Sequence, residues 1–250
     1  DYRERVSPRA AVPDLRRVAA LTPAKPLALA LYRPLSAAQG RLGFKVYRLG
    51  GPIVLSDSLP MLEHMGVRVL GEQNYRISAD GATISLHDFE LQAKVADDFE
   101  LDKVARSFED CFARVFDGSI ENDDFNRLVL HAGLAPDEVV ILRAYAKYLK
   151  QIGFALTQGT IEITLAAHPD IARMLVRLFR LRFDPGAHDE QGEMAQGNAI
   201  AKALDRVSNL SEDRVLRQLL ALVQATTRTN FWRTGIGHTG ADGSRRPYLS

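Results

Sequence analysis

Three glycines near the C-terminus, Gly235, Gly237 and Gly240, have the spacing with which a chain cradles the pyrophosphate of a dinucleotide. That chemistry needs a strand before the glycines, a helix after them and an acidic residue roughly 20 positions on. Here a helical apolar stripe precedes them and the sequence runs only to Ser250, so the run reads as a loop. Asp117–Asp124 (DGSIENDD) has the carboxylate density of a calcium loop. Its sixth position is Asn122 rather than glycine, and its twelfth is Leu128 rather than glutamate. The sharp turn and the bidentate ligand are both missing, which favours helix capping. The six histidines form no HExxH or HxxxH pair. His188 with Asp189, Glu190 and Glu193 offers nitrogen and oxygen to a metal, yet the same residues suit a solvated helix start. His87 beside Asp88 on a strand reads as a structural pair.

Cationic groups raise two further possibilities. Arg173, Arg177 and Arg180 share a helical face, with Arg182 close by. Such a face contacts phosphates or pairs with neighbouring acidic helices, and a near-zero net charge favours the second. Arg228, Asn230 and Trp232 end the segment Ser208–Trp232, packing cationic, polar and aromatic groups into a turn or two. They are the candidate interdomain or interface cluster; the competing account is an interhelical clamp, with the guanidinium bidentate on a carboxylate or carbonyls. The single Cys111 lies in the apolar pattern Phe108, Phe112, Val115 and reads as a small buried hydrophobe. With no Ser/His/Asp or Cys/His set, no P-loop and no acid/base pair, no catalytic, cofactor-binding or metal-binding residue is expected here.

The elements that must position these groups change character near residue 95. Of 250 residues, 46% are hydrophobic and 25% charged, enough for one large or two modest cores, and the net charge of +1 gives no global drive toward nucleic acid or an anionic membrane. No apolar run approaches the roughly 18 residues that span a bilayer. No signal peptide opens the sequence, and one cysteine fits a reducing cytoplasm. The chain begins at Asp1 rather than Met and is expected to be a piece of something longer.

Residues 1–95 alternate short apolar runs with Gly and Pro. Val12–Leu21 predicts a helix with Pro13 in its first turn. Leu27–Tyr32 and Leu42–Arg48 predict strands, and Ser56 or Asp57 caps a helix closed at Gly66. Val67–Ile77 and Thr83–Leu91 predict two more strands around an Ala79–Gly81 turn, with Ile84, Leu86 and Asp88 alternating against Thr83, Ser85 and His87. This α-β-β-α-β-β order suits an open sheet with both helices on one face, a ferredoxin-type module whose usual first strand would lie upstream of Asp1. Residues 96–234 predict helices: Leu101–Asp117, Glu121–Ala132, one opened by Pro136 and ended by Gly153, Gln158–Ala167, one opened by Pro169, and Asp189–Val207. In the segment Ser208–Trp232 that follows, Asn209 and Glu212 have capping-box spacing before the stripe Val215, Leu216, Leu219, Leu220, Val223 of a further helix. Residues 235–250 predict a flexible tail.

Several of these segments, in order, resemble one family. Phe44–Ile53 (FKVYRLGGPI) and Ser56–Val69 are similar to a strand-helix-strand unit of the large bacterial NAD-dependent glutamate dehydrogenases, and Ile84–Phe89 resembles its closing strand. Glu121–Leu130, Leu142–Gln151, His168-Pro169, Arg182–Pro185 and Ser208–Trp232 are similar to helical segments upstream of that family's catalytic core. The resemblance covers roughly residues 26–232, and fits less well at Ile161–Thr164 and from Gly235 on. It implies an α+β chain: an ACT-like (ferredoxin-type) α/β sandwich module followed by an all-α helical domain, with residues 235–250 leading toward a catalytic domain.

The family's glycine-flanked catalytic lysine motif and dinucleotide fingerprint are absent, so no catalytic residue carries over. The resemblance implies a parent that converts L-glutamate, NAD and water to 2-oxoglutarate, ammonia and NADH. NAD would be the parent's cofactor and would not bind this segment. The implied partners are the catalytic domain of the same polypeptide, further copies in a homo-oligomer, and a small amino-acid effector, with no nucleic acid and no membrane. The alternatives are a free-standing amino-acid sensor of ACT type and a helical scaffold.

Overall fold

A computed structural model of the chain describes residues 2–34, 40–79, 81–94, 100–186 and 188–232. The Gly235–Gly240 run and the tail 235–250 lie outside the described residues. Two compact units divide the chain, residues 1–122 and 123–250.

The first unit runs α1 (Tyr2–Arg5), α2 (Pro8–Ala19), β1 (Leu27–Tyr32), β2 (Arg41–Leu49), α3 (Leu55–His64), β3 (Val67–Ala79), β4 (Ala82–Ala93) and α4 (Leu101–Phe116). The sheet order is β1-β2-β4-β3, and every pairing is antiparallel. This corrects the expected arrangement in two ways. A ferredoxin-type order is β-α-β-β-α-β; moving its first strand and helix to the end gives β-β-α-β-β-α, the order of β1 to α4. The inner position between β2 and β3, reserved for a strand upstream of Asp1, is filled by β4. The helix accompanying that strand is therefore α4, so α3 and α4 cover one face while α2 packs on the other.

Both faces of the two central strands are consequently buried. In β2, Phe44 meets Phe108 and Phe112 of α4, with centroids 5.4 and 4.9 Å apart, while the next-but-two Tyr47 points the other way, toward α2. In β4, Leu86 opposite Tyr47 and His87 opposite Val46 are both inaccessible to solvent. Strict alternation of buried and exposed residues holds only when one face of a sheet is wet; in β4 the pattern Ile84, Leu86 against Ser85, His87 separates two interiors. It also separates His87 from Asp88: the neighbours project to opposite faces and do not pair.

The packing of α4 also moves the division between units to Asn122/Asp123 from the expected 95/96. Phe108, Cys111 and Phe112 are fully buried, with the two phenylalanines in the sheet's core. Ser7 accepts the Ala10 N–H and puts Pro8 at the first helical position, so α2 starts before the expected Val12 and Pro13 falls inside it. Gly66, at φ 84°, closes α3 as expected.

The second unit runs through a 3-10 turn (Asp124–Arg127), α5 (Leu128–His131), α6 (Pro136–Gln151), α7 (Gln158–Ala167), α8 (Pro169–Phe183), α9 (Glu190–Leu204) and α10 (Leu210–Ala225). The single helix expected over Glu121–Ala132 is a tight turn followed by one α turn. Asp123 is the reason: its carboxylate accepts the Phe125 N–H and grips Arg143 on α6, so the helix begins only after it. Leu175, Leu178 and Phe179 on α8 and Val215, Leu219 and Val223 on α10 are all buried.

Phe44 is the test of the sheet–α4 core. Phe44→Ala should cost about 3–5 kcal/mol in urea unfolding, the usual range for a fully buried aromatic ring. A loss under about 1 kcal/mol would mean that α4 does not depend on this face.

Candidate functional site

The corner after α10 holds the residues singled out in the sequence. Asn209 caps α10 by accepting the Ser211 and Glu212 N–H groups, and Glu212 bonds His168 Nε2 at 2.7 Å instead of closing the expected box. After Ala225 the chain leaves the helix, and Thr226 becomes a node. Its hydroxyl donates to the Leu222 carbonyl at 2.7 Å, so the Tyr145 hydroxyl, 2.8 Å away, is the donor to Thr226 Oγ1. Arg182 donates to the Thr226 carbonyl at 3.0 Å and pairs with Glu193. Burial raises the Tyr145 hydroxyl pKa, which keeps that donor protonated.

Phe179 on α8 is the hub beneath this node. Its ring lies 5.5 Å from Trp232 in a stacked pair, 5.7 Å from Phe231 edge-on and 6.1 Å from Tyr145 edge-on. Of the predicted cluster, Trp232 therefore joins an aromatic core, Asn230 is half-buried, and Arg228 is exposed without an ion pair among the described residues. The interhelical clamping weighed for Arg228 is performed by Arg182 and by Arg143. The latter is buried, bidentate on Asp123 at 2.7 and 2.8 Å, and also donates to Asn126 at 2.7 Å. The Arg173–Arg182 face is largely committed: Arg173 pairs with Asp170, Arg180 with Glu138 and Asp184, and Arg182 with Glu193. Only Arg177 of the four has no such pair among the described residues. The acidic start of α9 is likewise dispersed: Asp189 caps the helix, Glu193 takes Arg182, and His188 bonds the Leu181 carbonyl.

A second polar site was missed in the sequence. On the α2 face of the sheet, the buried Asp14 carboxylate accepts from Tyr2, Tyr47 and Lys45, each at 2.6 Å. Burial pushes Asp14 upward, but the Lys45, Tyr2 and Tyr47 hydrogen bonds outweigh it and hold the carboxyl below its ordinary range. Lys45 also lies 3.8 Å from Asp88, which accepts from Tyr32 at 2.8 Å. Burial raises Asp88 despite those partners. Tyr32 lies directly over Gly43, its cross-strand partner, where a Cβ would collide with the ring. These residues sit at separations of up to 86 positions without a motif; their only sequence signal is polar side chains at alternate positions of apolar strands. On the opposite face His87 Nε2 accepts the Ile53 N–H at 3.1 Å, so Nδ1 carries the proton toward Glu72 at 2.8 Å. Among the described residues no group of three or more His, Cys, Asp or Glu is placed to hold a metal, and no helix is long and apolar enough to cross a membrane.

A four-stranded antiparallel sheet layered with helices and followed by a helical bundle is the architecture of an ACT-like module joined to an α domain. Three family models match successive segments of the chain. Residues 26–104 match the family model described as glutamate dehydrogenase, ACT3 domain; residues 120–185 match glutamate dehydrogenase, helical motif 3; and residues 199–250 match bacterial NAD-glutamate dehydrogenase, catalytic domain. The chain is 42% identical over 233 residues to a NAD-specific glutamate dehydrogenase of Halomonas elongata, covering 93% of this chain and 14% of that protein. It is 41% identical over 257 residues to one of Pseudomonas aeruginosa (100% and 15%) and 36% identical over 248 residues to one of Mycobacterium tuberculosis (94% and 15%). The chain belongs to the large bacterial NAD-dependent glutamate dehydrogenase family. It spans 14–15% of the length of these relatives.

Two carboxylates give opposite pH signatures. Asp14, depressed in the fold, stabilises above the unfolded carboxyl pKa of about 4, and that stability is lost as pH falls through its lower folded value. The deficit of Asp14→Asn relative to the parent chain should thus be largest near neutrality and shrink on acidification below about pH 4. Glu162 is raised from 4.5 by burial and by Asp123 and Asp124, so its ionisation costs stability as pH rises above that value. Glu162→Gln should gain on the parent chain over the same rise. Urea midpoints from acid to neutral pH check both; parallel curves for parent and variants would contradict the assignment.

Proposed function

We propose that this chain is a non-catalytic regulatory and assembly region of an NAD-dependent glutamate dehydrogenase. The parent enzyme oxidises L-glutamate with NAD and water to 2-oxoglutarate, ammonia and NADH, and NAD binds outside this chain. The observation that carries this reading is the order of matched segments: an ACT-type module, a helical motif, then a stretch matched to a catalytic domain. The side-chain chemistry supports it. Asp14, His87, Arg143 and Arg182 are each turned inward on structural partners rather than toward an opening where substrate would sit.

The natural partners of such a region are the catalytic domain of the same polypeptide, other copies of the chain in a cytoplasmic homo-oligomer, and a small amino acid acting on the ACT-like module. Regulation by that amino acid requires different affinities for two states of the assembly. The helical-scaffold alternative, with Arg173–Arg182 holding nucleic acid, is disfavoured by the ion pairs that occupy Arg173, Arg180 and Arg182. The free-standing sensor alternative is disfavoured by the match of residues 199–250 to a catalytic domain.

Calorimetric titration of the full-length protein and of a variant lacking residues 26–104 with individual amino acids separates the roles. Saturable heat from one or two amino acids, besides the substrate, that disappears in the deletion variant is the expected result. Equal heats in both proteins would remove the sensor role from the ACT-like module.

A further inference from the structure

The two edges of the sheet are finished differently. In β1 the bond from the Leu49 N–H to the Pro26 carbonyl sets the alternation: Ala28, Ala30 and Tyr32 face β2, while Leu27, Leu29 and Leu31 turn their peptide groups outward. Side chains close that edge. Arg17 Nε donates to the Leu29 carbonyl at 3.2 Å, and Glu109 accepts the Leu31 N–H at 2.8 Å. In β3 the register with β4 is unbroken from Gly71 to Ala79. The bond from the Gly50 N–H to the Thr83 carbonyl turns the odd-numbered residues of β4 toward β2, so its even-numbered residues bond Gly71, Gln73, Tyr75, Ile77 and Ala79. Glu72, Asn74, Arg76 and Ser78 therefore present their N–H and C=O groups outward. Among the described residues nothing bonds those four backbones from outside, and Asn74, Arg76 and Ser78 are exposed. An open row of this kind is a template for another strand.

We infer that β3 is the edge through which two copies of this chain pair, antiparallel and two-fold, with Asn74 on the axis. The charges select that register. Outward peptide groups must meet outward peptide groups, so Glu72, Asn74, Arg76 and Ser78 of one copy pair only with positions of the same parity in the other. With Asn74 on the axis, Glu72 of each copy stands opposite Arg76 of the other, giving two opposite-charge pairs on one face. With Glu72 or Arg76 on the axis, like charges are opposed; with Gln73 or Tyr75 there, neither charge meets its opposite. Both groups are available. Arg76 has no ion pair among the described residues, and Glu72 takes His87 through Oε1, leaving Oε2 for a guanidinium. Because Arg17 and Glu109 close β1, the joined sheets offer no second edge, and the pairing stops at two copies instead of running on as a stack.

The inference rests on the reading that copies of the chain form a homo-oligomer, and the test separates the two. In this register the two Cα atoms of position 74 lie about 5.5 Å apart, within the roughly 4.4–6.8 Å that a disulfide spans, whereas those of position 78 lie about 27 Å apart along the strands. Asn74→Cys and Ser78→Cys are introduced separately into the full-length protein, mildly oxidised and run on non-reducing gels beside the parent, with the assembly mass measured by light scattering. Cys111 is buried and does not compete. The expected result is a disulfide-linked pair of chains from Asn74→Cys, and none above the parent from Ser78→Cys. Adding Arg76→Glu to Asn74→Cys turns two attractive cross-strand pairs into repulsive ones and should slow the linking about ten-fold. Equal linking at positions 74 and 78, or a rate indifferent to Arg76→Glu, would overturn the inference. An oligomer in which Asn74→Cys stays unlinked would also overturn it and leave the homo-oligomer reading standing. A protein monomeric by light scattering would strike both.

Discussion

A buried polar group must find a partner, and in this chain that requirement decides which elements meet. Leaving a carboxylate, guanidinium or imidazole dry and unpaired costs more than most apolar contacts supply. Asp14 is buried only because two tyrosines and Lys45 converge on it, which fixes α2 against the sheet. Arg143 is buried only because Asp123 and Asn126 present a fitted fork of acceptors, which fixes the 3-10 turn against α6. Thr226 ends α10 where Tyr145 and Arg182 satisfy what the helix leaves open. Hydrophobic area drives the collapse of both units; these polar joints select the arrangement in which they close.

Much of this fold was legible residue by residue. The helical stripe of α10, the Pro-led starts of α6 and α8 and the closing Gly66 follow from local chemistry that no distant contact overrides. The topology was less legible. Strand order is a property of pairing over long separations, and the α-β-β-α-β-β order is compatible with either an upstream first strand or β4 at the inner position. Only the pairing of β4 with both β2 and β3 settles it. The start of α2 precedes the expected Val12 because Ser7 and Pro8 carry the capping signal and Pro13 falls inside the helix.

The candidate sites divide along the same line. Trp232 stood out because an aromatic residue after a capped helix requires a surface, and Phe179 provides it. The interhelical clamp set against an interface role for Arg228 is performed by Arg182 and Arg143, since a sequence shows a guanidinium but not which carboxylate lies opposite. The Asp14 cluster gave no local signal at all: Tyr2, Asp14, Lys45, Tyr47 and Asp88 come together only through the sheet. Its place on the second face, outside the pair of helices that make the sandwich, ties the N-terminal segment to the ACT-like module. Successive matches to an ACT3 domain, a helical motif and a catalytic domain then sit on two compact units whose boundaries do not coincide with the matched segments.

The claim on which this account turns is that this 250-residue chain binds no dinucleotide and performs no redox step. Calorimetric titration of the 250-residue chain with NAD, followed by an assay for NADH on addition of L-glutamate, tests it most directly. The account predicts no saturable heat and no NADH. Stoichiometric NAD binding, or any glutamate-dependent NADH formation by this chain, would contradict it and place a cofactor site within these 250 residues.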